Sequence, residues 1–322
     1  MSPIHTEKPA SRARVLLAFA AVYLVWGSTY LAIRVAVAGI PPFLMGGTRF
    51  ALSAALLFPF LLRRGDAAPT TRQWRDATIV GCLLMLGGNG LVVWAEQTAN
   101  SSQAALFIAS TPMWFTVFEW MRPGGNRPHP LTWLGIALGF AGVFTLVAGH
   151  AADTASLALP QSLALLAATI CWAGGSVYAR HSARPASPLM GVAAQMLAGG
   201  LAMLLVGLVR GEAGQVVPGA IPATAWLALV YLVLFGSLVG YTAYVYLLRH
   251  CTSAQVSTYA YVNPIIAVLL GAFVLGESVG PRVRTAGALV VGGVILLTVP
   301  PKVWLGLLAR IARGLPLGTC RP

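Results

Sequence analysis

Apolar residues in this chain come in runs of about twenty, separated by short stretches rich in Arg, Pro, Gly and Asp such as Arg63-Arg64-Gly65-Asp66 and Arg122-Pro123-Gly124-Gly125. A helix needs about 20 apolar residues to cross roughly 30 Å of hydrocarbon at 1.5 Å per residue. Ten runs meet that length, at 15–37, 42–62, 76–95, 101–121 and 131–149, then at 160–182, 188–209, 222–248, 254–276 and 281–300. The pattern predicts an all-α integral membrane protein of ten transmembrane helices.

The second five runs echo the first five. Trp26, Arg34, Pro42 and Arg49 return as Trp172, Arg180, Pro188 and Gln195, each 146 residues on. Gly88, Trp94, Gln103 and Pro112 return as Gly240, Tyr246, Gln255 and Pro264, each 152 residues on. An odd number of helices per copy puts the second copy in the membrane upside down relative to the first. The expected organisation is therefore an N-terminal segment at 1–14, a first repeat at 15–149, an inverted second repeat at 160–300 and a tail at 301–322. Inverted repeats with a site between them are a common plan for secondary transporters, which makes transport the leading expectation.

Composition strengthens the membrane reading, because 57% hydrophobic and 9% charged residues would leave a soluble globule without enough charge for its surface. The net charge of +13 would prompt a nucleic-acid hypothesis if the basic residues were gathered on one face, but they are scattered between apolar runs. No nucleic-acid partner is expected. Sixteen of the 21 Lys and Arg fall in the termini and loops on the N-terminal side, against Arg34, Arg210, Arg282 and Arg284 on the other. Cytoplasmic loops are the positive ones, so both termini are expected inside. The tail from Lys302 to Leu317 suits either an amphipathic helix on an anionic leaflet or a disordered end.

No catalytic constellation emerges. There is no Gly-x-Ser-x-Gly, no His-Glu-x-x-His, no phosphate loop, and Cys82, Cys171, Cys251 and Cys320 lie far apart. The reading is of a protein that is not an enzyme, with no metal site and no cofactor, moved by a gradient and not by ATP.

The Trp26-Gly27-Ser28-Thr29-Tyr30 run, Pro41-Pro42 followed by Arg49, and Ser101-Ser102 followed by Thr111-Pro112 together resemble the drug/metabolite transporter superfamily. Within it, the chain looks most like EamA-type exporters of the YedA-like group, over residues 14–301. The resemblance implies an inner-membrane exporter of amino acids and related metabolites. It also implies a central cavity lined by the first four helices of each repeat, the fifth lying at the periphery. Leu275-Gly276-Glu277 matches a turn common at the end of the fourth helix of such repeats, whereas the first repeat has Phe118-Glu119-Trp120-Met121-Arg122 instead.

Polar groups at bilayer depth are costly unless they face protein or water, so they mark the pathway. Arg49, two turns into the second run, either forks onto a substrate carboxylate or pairs with Glu96. Glu96 is the best-placed carrier if protons drive export, against a plain hydrated position at the interface. Glu119 has a partner in Arg122 at helical spacing. Asn89 and Asn263 suit a zwitterion or serve as glue between helices. Pro112 and Pro264 each release a carbonyl where their helix breaks, which makes hinges of them. Trp26, Tyr30, Trp94, Trp114, Trp172, Tyr241 and Tyr259, with Tyr178 and Tyr244, are candidate cavity walls or simple packing. Glycines 135, 139 and 142, with 287, 292 and 293, suit close helix packing, within the chain or in a homodimer. The rival readings are a nucleotide-sugar carrier, which would need more cations in the cavity than Arg49 alone, and a sensor or channel.

Overall fold

A computed structural model describes residues 11–121, 127–147, 157–183, 185–251, 256, 258–299 and 303. Ten helices account for nearly all of them. They are α1 (Arg12–Val37), α2 (Pro42–Arg63), α3 (Thr71–Ala95), α4 (Ser101–Ile108 and Thr111–Met121), α5 (Pro130–Val147), α6 (Leu159–His181), α7 (Pro188–Val209), α8 (Ala223–Leu247), α9 (Tyr259–Leu275) and α10 (Pro281–Thr298). The end of the bundle reached by the C-terminus of α1 is called distal, and the opposite end proximal.

Helix starts follow local chemistry. Pro opens α2, α5, α7 and α10, where the missing N–H costs nothing. Thr70 and Gln73 form a capping box that starts α3 at Thr71, five residues before the expected 76. Ser11 accepts from the Arg14 N–H and starts α1 at Arg12, three residues early. Polar caps override the hydrophobic pattern, which marks where lipid begins and not where the helix does. The expected amphipathic tail from 302 and the loop around Arg122 lie outside the described residues, Val303 apart.

Among the described residues of the ten helices, three stretches depart from α geometry. In α4 the helix breaks at Ala109 and Ser110, ahead of Pro112. The carbonyls left there are taken locally, Ser110 Oγ donating to Phe107 O and Thr111 Oγ1 to Ile108 O, each at 2.6 Å. The matching break expected in α9 is absent, since Tyr259–Leu275 runs without interruption through Pro264. The other two departures were not anticipated: α3 is a π-helix over Cys82–Gly90, and α8 is one over Leu232–Val239. They fall at corresponding places in the two repeats.

The repeats clasp each other reciprocally. Arg64-Gly65-Asp66 closes α2, and Arg210-Gly211-Glu212, 146 residues on, closes α7. Both glycines are left-handed, at φ +91° and +73°, a conformation any side chain would strain. Each turn aims its acid at the other repeat. Glu212, buried, accepts from the Leu44 N–H at the start of α2 at 3.0 Å, and Asp66 accepts from the hydroxyl of Ser187, the N-cap of α7, at 3.1 Å. Arg210 lies 4.0 Å from Glu212.

A third acid ties α9 to α4. Glu277 Oε1 accepts from the Ser101 N–H and hydroxyl, both at 2.9 Å, and Oε2 from the Ser102 N–H at 3.1 Å and hydroxyl at 2.6 Å. The Leu-Gly-Glu turn of the second repeat thus caps the fourth helix of the first, at the distal end. At the proximal end Asp76, also buried, accepts from Arg75, from the Tyr178 hydroxyl and from the Ala183 N–H at 2.8 Å.

α5 and α10 pack against each other backbone to backbone. A Cβ on Gly135 would lie 2.9 Å from Gly293 O, and one on Gly142 would lie 2.9 Å from Ala286 O. This glycine stripe closes on its partner within one chain, while a Cβ on Gly292 would meet nothing within 4 Å.

The caps should carry measurable stability. Glu212→Ala strips the Leu44 N–H and the α2 N-terminus of their anion and is expected to cost about 1–2 kcal/mol. Glu277→Ala removes the acceptor for four donors and should lower the thermal unfolding midpoint in detergent further than Glu212→Ala. Two variants that melt with the wild type would show the acids to be bystanders.

Candidate functional site

The Trp26-to-Tyr30 run faces the second repeat with almost every side chain. Trp26 Nε1 donates to Gly236 O at 3.2 Å, and the Ser28 hydroxyl bonds the Tyr231 hydroxyl at 2.6 Å. A Cβ on Gly27 would lie 2.7 Å from Ile266 of α9, so only glycine admits that helix so close. The motif is a contact surface, and its aromatic members form one wall of a cavity between the repeats.

That cavity, about 120 Å³ in volume, is lined from α1, α2, α3, α4, α6, α8 and α9. Eight expected substrate contacts meet there: Trp26, Tyr30, Arg49, Asn89, Trp172, Tyr241, Tyr259 and Asn263, with Pro112 and Pro264 beside them. Trp26 is the hub of the aromatic wall, its ring 5.3 Å from Tyr241, 5.1 Å from Tyr244 and 5.4 Å from Tyr259. Edge and tilted contacts at these separations suit aromatic quadrupoles and stiffen the wall.

Arg49 supplies the cation. It is 3% exposed, its Nε donates to Ser237 Oγ at 3.0 Å, and its guanidinium lies 4.7 Å from the Phe50 ring. Gly236 makes room, since a Cβ there would stand 3.1 Å from Arg49 Nη2. No ion pair of Arg49 is found among the described residues, and the cavity lining contains no carboxylate. A buried charge without a counter-charge costs several kcal/mol.

The expected pair between Arg49 and Glu96 does not form. Glu96 is 0% exposed, lies outside the cavity lining, and neither carboxylate oxygen has a hydrogen-bond partner. That also overturns the hydrated interfacial position. Instead Arg34, in the last turn of α1, donates to the Glu96 carbonyl at 2.5 Å and the Gln97 carbonyl at 2.6 Å, filling the C-terminal end of α3. A cation on those carbonyls also opposes the negative end of the helix dipole.

Other candidates go elsewhere. Trp114 packs on Phe118 and Phe140, and Trp94 packs on the cluster of α3, α4, α6 and α10 residues; neither lines the cavity. Glu119 reaches Arg180 of the second repeat at 3.2 Å, while Arg122, its expected partner, lies outside the described residues. Asn89 Nδ2 donates to Leu84 O at 3.1 Å, within its own π-helix, whereas Asn263 Oδ1 is buried without a donor. Among the side chains sequence reasoning missed are Thr29, Thr111 and Phe115 in the lining and Ser237 behind Arg49. A lone serine in an apolar run was the available signal for the last.

Comparison with known proteins agrees with this architecture. The model of the EamA-like transporter family matches residues 13–148 and 160–299, the two repeats. The inner membrane transporter YedA of Escherichia coli strain K12 is 38% identical over 279 residues, which is 86% of this chain and 88% of YedA. A probable amino-acid metabolite efflux pump of the same strain is 26% identical over 86% of this chain and 90% of its own length. The transporter YoaV of Bacillus subtilis strain 168 is 22% identical over 88% of this chain and 97% of YoaV. A crystal structure 24% identical in sequence, covering 89% of this chain and 98% of its own, superposes with a TM-score of 0.61 and has the same fold. Two matched repeats on ten helices and the YedA relationship lead to one assignment: the chain belongs to the EamA-like transporter family.

Proposed function

We propose that this protein is a secondary transporter that exports small amphipathic metabolites, amino acids and related compounds first among them, by alternating access across the bacterial inner membrane. The observation that carries the reading is the cavity between the repeats, aromatic on one wall and holding one buried guanidinium with no protein carboxylate against it. One cation facing no anion matches a substrate with a single carboxylate, and the rings of Trp26, Tyr241 and Tyr259 match an apolar or aromatic remainder. The relative named a probable amino-acid metabolite efflux pump supports the same class.

The nucleotide-sugar reading is less well supported, since a diphosphate calls for several cations and the lining offers Arg49 alone among the described residues. A channel or sensor would lack saturable counterflow. The distribution of Lys and Arg supports both termini in the cytoplasm, with the distal end facing the periplasm. Protons are the proposed driving ion, and Glu96, a buried carboxyl group without donors, is the proposed carrier.

Counterflow of labelled L-phenylalanine in proteoliposomes tests the reading. Saturable exchange is expected in the wild type, with Arg49→Gln raising the half-saturating concentration at least tenfold, in line with about 1.5–3 kcal/mol for a hydrogen bond to a charged group. The methyl ester of the same amino acid, lacking the carboxylate, should respond equally to both proteins. A wild type without exchange of any carboxylate-bearing solute would end the proposal.

An imposed pH gradient separates the coupling question. Acceleration of net flux in the wild type, abolished in Glu96→Gln while counterflow without a gradient persists, is the expected outcome. Gradient-driven flux undiminished in Glu96→Gln would take Glu96 out of the mechanism.

A further inference from the structure

The two repeat-defining tryptophans are seated on the two repeat-defining glycines, each across to the other half. A Cβ on Gly240 of α8 would lie 2.3 Å from Trp26 Nε1 of α1, and a Cβ on Gly88 of α3 would lie 2.8 Å from Trp172 Cε3 of α6. Trp26 and Trp172 are counterparts 146 residues apart, and Gly88 and Gly240 are counterparts 152 residues apart. The seats are therefore one contact made twice, as a pseudo-two-fold relation between the halves requires.

One seat lies in a π-helix and the other directly after one. Gly88 lies inside Cys82–Gly90, and Gly240 directly follows Leu232–Val239. A π-helix carries surplus residues for its length, and moving that surplus along a helix turns the part beyond it by roughly 100° and shifts it by about 1.5 Å per residue. Helix packing elsewhere leaves little room for such a move, as the α5–α10 backbone contact illustrates.

We infer that the two Trp-on-glycine seats are the pivots of the transport cycle and that the π segments of α3 and α8 are where those helices change register. The inference rests on the transport reading for its purpose, though not for its geometry. It also couples occupancy to movement. Both tryptophans line the cavity, so an occupant touches both seats. In α8 the link is direct: Trp26 bonds Gly236 O, and Arg49 bonds Ser237 Oγ, adjacent residues of the same π segment. A solute drawn to Arg49 and Trp26 therefore pulls on two successive residues of the element that must shift. The continuous helix through Pro264 leaves the π segments as the departures from α geometry that both repeats share.

Amide hydrogen exchange on the full-length protein in nanodiscs reads the seats without any flux. Trp26→Phe removes the bond to Gly236 O and is expected to speed exchange in 232–239 about fivefold or more while leaving 82–90 at the wild-type rate. Trp172→Phe should do the reverse, speeding 82–90 and sparing 232–239. Changes confined to each tryptophan's own repeat, or no change in either variant, would overturn the inference. L-phenylalanine counterflow supplies the second arm. Gly88→Ala and Gly240→Ala should each slow it at least tenfold with exchange in α5 and α10 unchanged, and undiminished flux in both would overturn the pivots. A wild type without counterflow would sink the transport reading while the exchange experiment still judged the seats.

Discussion

In hydrocarbon a backbone N–H or C=O has no water to turn to, and this single constraint governs where the chain can depart from the α-helix. The three departures, one break in α4 and a π-helix in each of α3 and α8, all contribute residues to the space between the repeats or pack directly on it. Each is also repaired by side chains. Ser110 and Thr111 take the carbonyls at the α4 break, Asn89 takes one in the first π segment, and Trp26 takes one in the second. Polar backbone that would be intolerable against lipid is tolerated where side chains take up its carbonyls.

Enclosure depends on the halves serving each other. Asp66 meets the start of α7, and Glu212 meets the start of α2, Glu277 caps α4, and each signature tryptophan sits on the other half's glycine. The starts of α2, α4 and α7 each take an acid from another part of the chain, so one half alone would leave the Leu44, Ser101 and Ser102 N–H groups without these acceptors. Acids are scarce in this chain, eight in 322 residues, and four of them hold neighbouring elements in place. None of the four lines the cavity with Arg49.

Against this symmetric frame the chemistry is one-sided. Arg49 has Gln195 as its counterpart, and Gln195 lies where α7 crosses α3, its carbonyl 2.4 Å from where a Cβ on Gly81 would be. Ser237, Tyr241 and Tyr259 cluster near Arg49 and Trp26, giving the cavity one charged, aromatic flank. Duplication supplied the scaffold and the pivots, and divergence at a few positions supplied what a solute would feel.

Helix number, length and inverted duplication were legible in the sequence, because crossing a bilayer imposes a length and an apolar composition on each segment separately. Trp26, Trp172 and Arg49 stood out for a related reason, since bulky or charged groups at mid-membrane are conspicuous one residue at a time. The π-helices left no such trace. Cys82–Gly90 and Leu232–Val239 are apolar runs like their α-helical neighbours, and their register follows from what packs against them. Equally hidden were the fates of Glu96, Trp94 and Trp114, which share the residue types of the cavity but not its position. The sequence by itself determined which segments enter the membrane and that they come as an inverted pair, since those depend on local composition. Which side chains meet in the cavity, which acids cap which helices and where the ladder loosens were decided only by tertiary structure, because they depend on distances between residues some 150 positions apart in the chain.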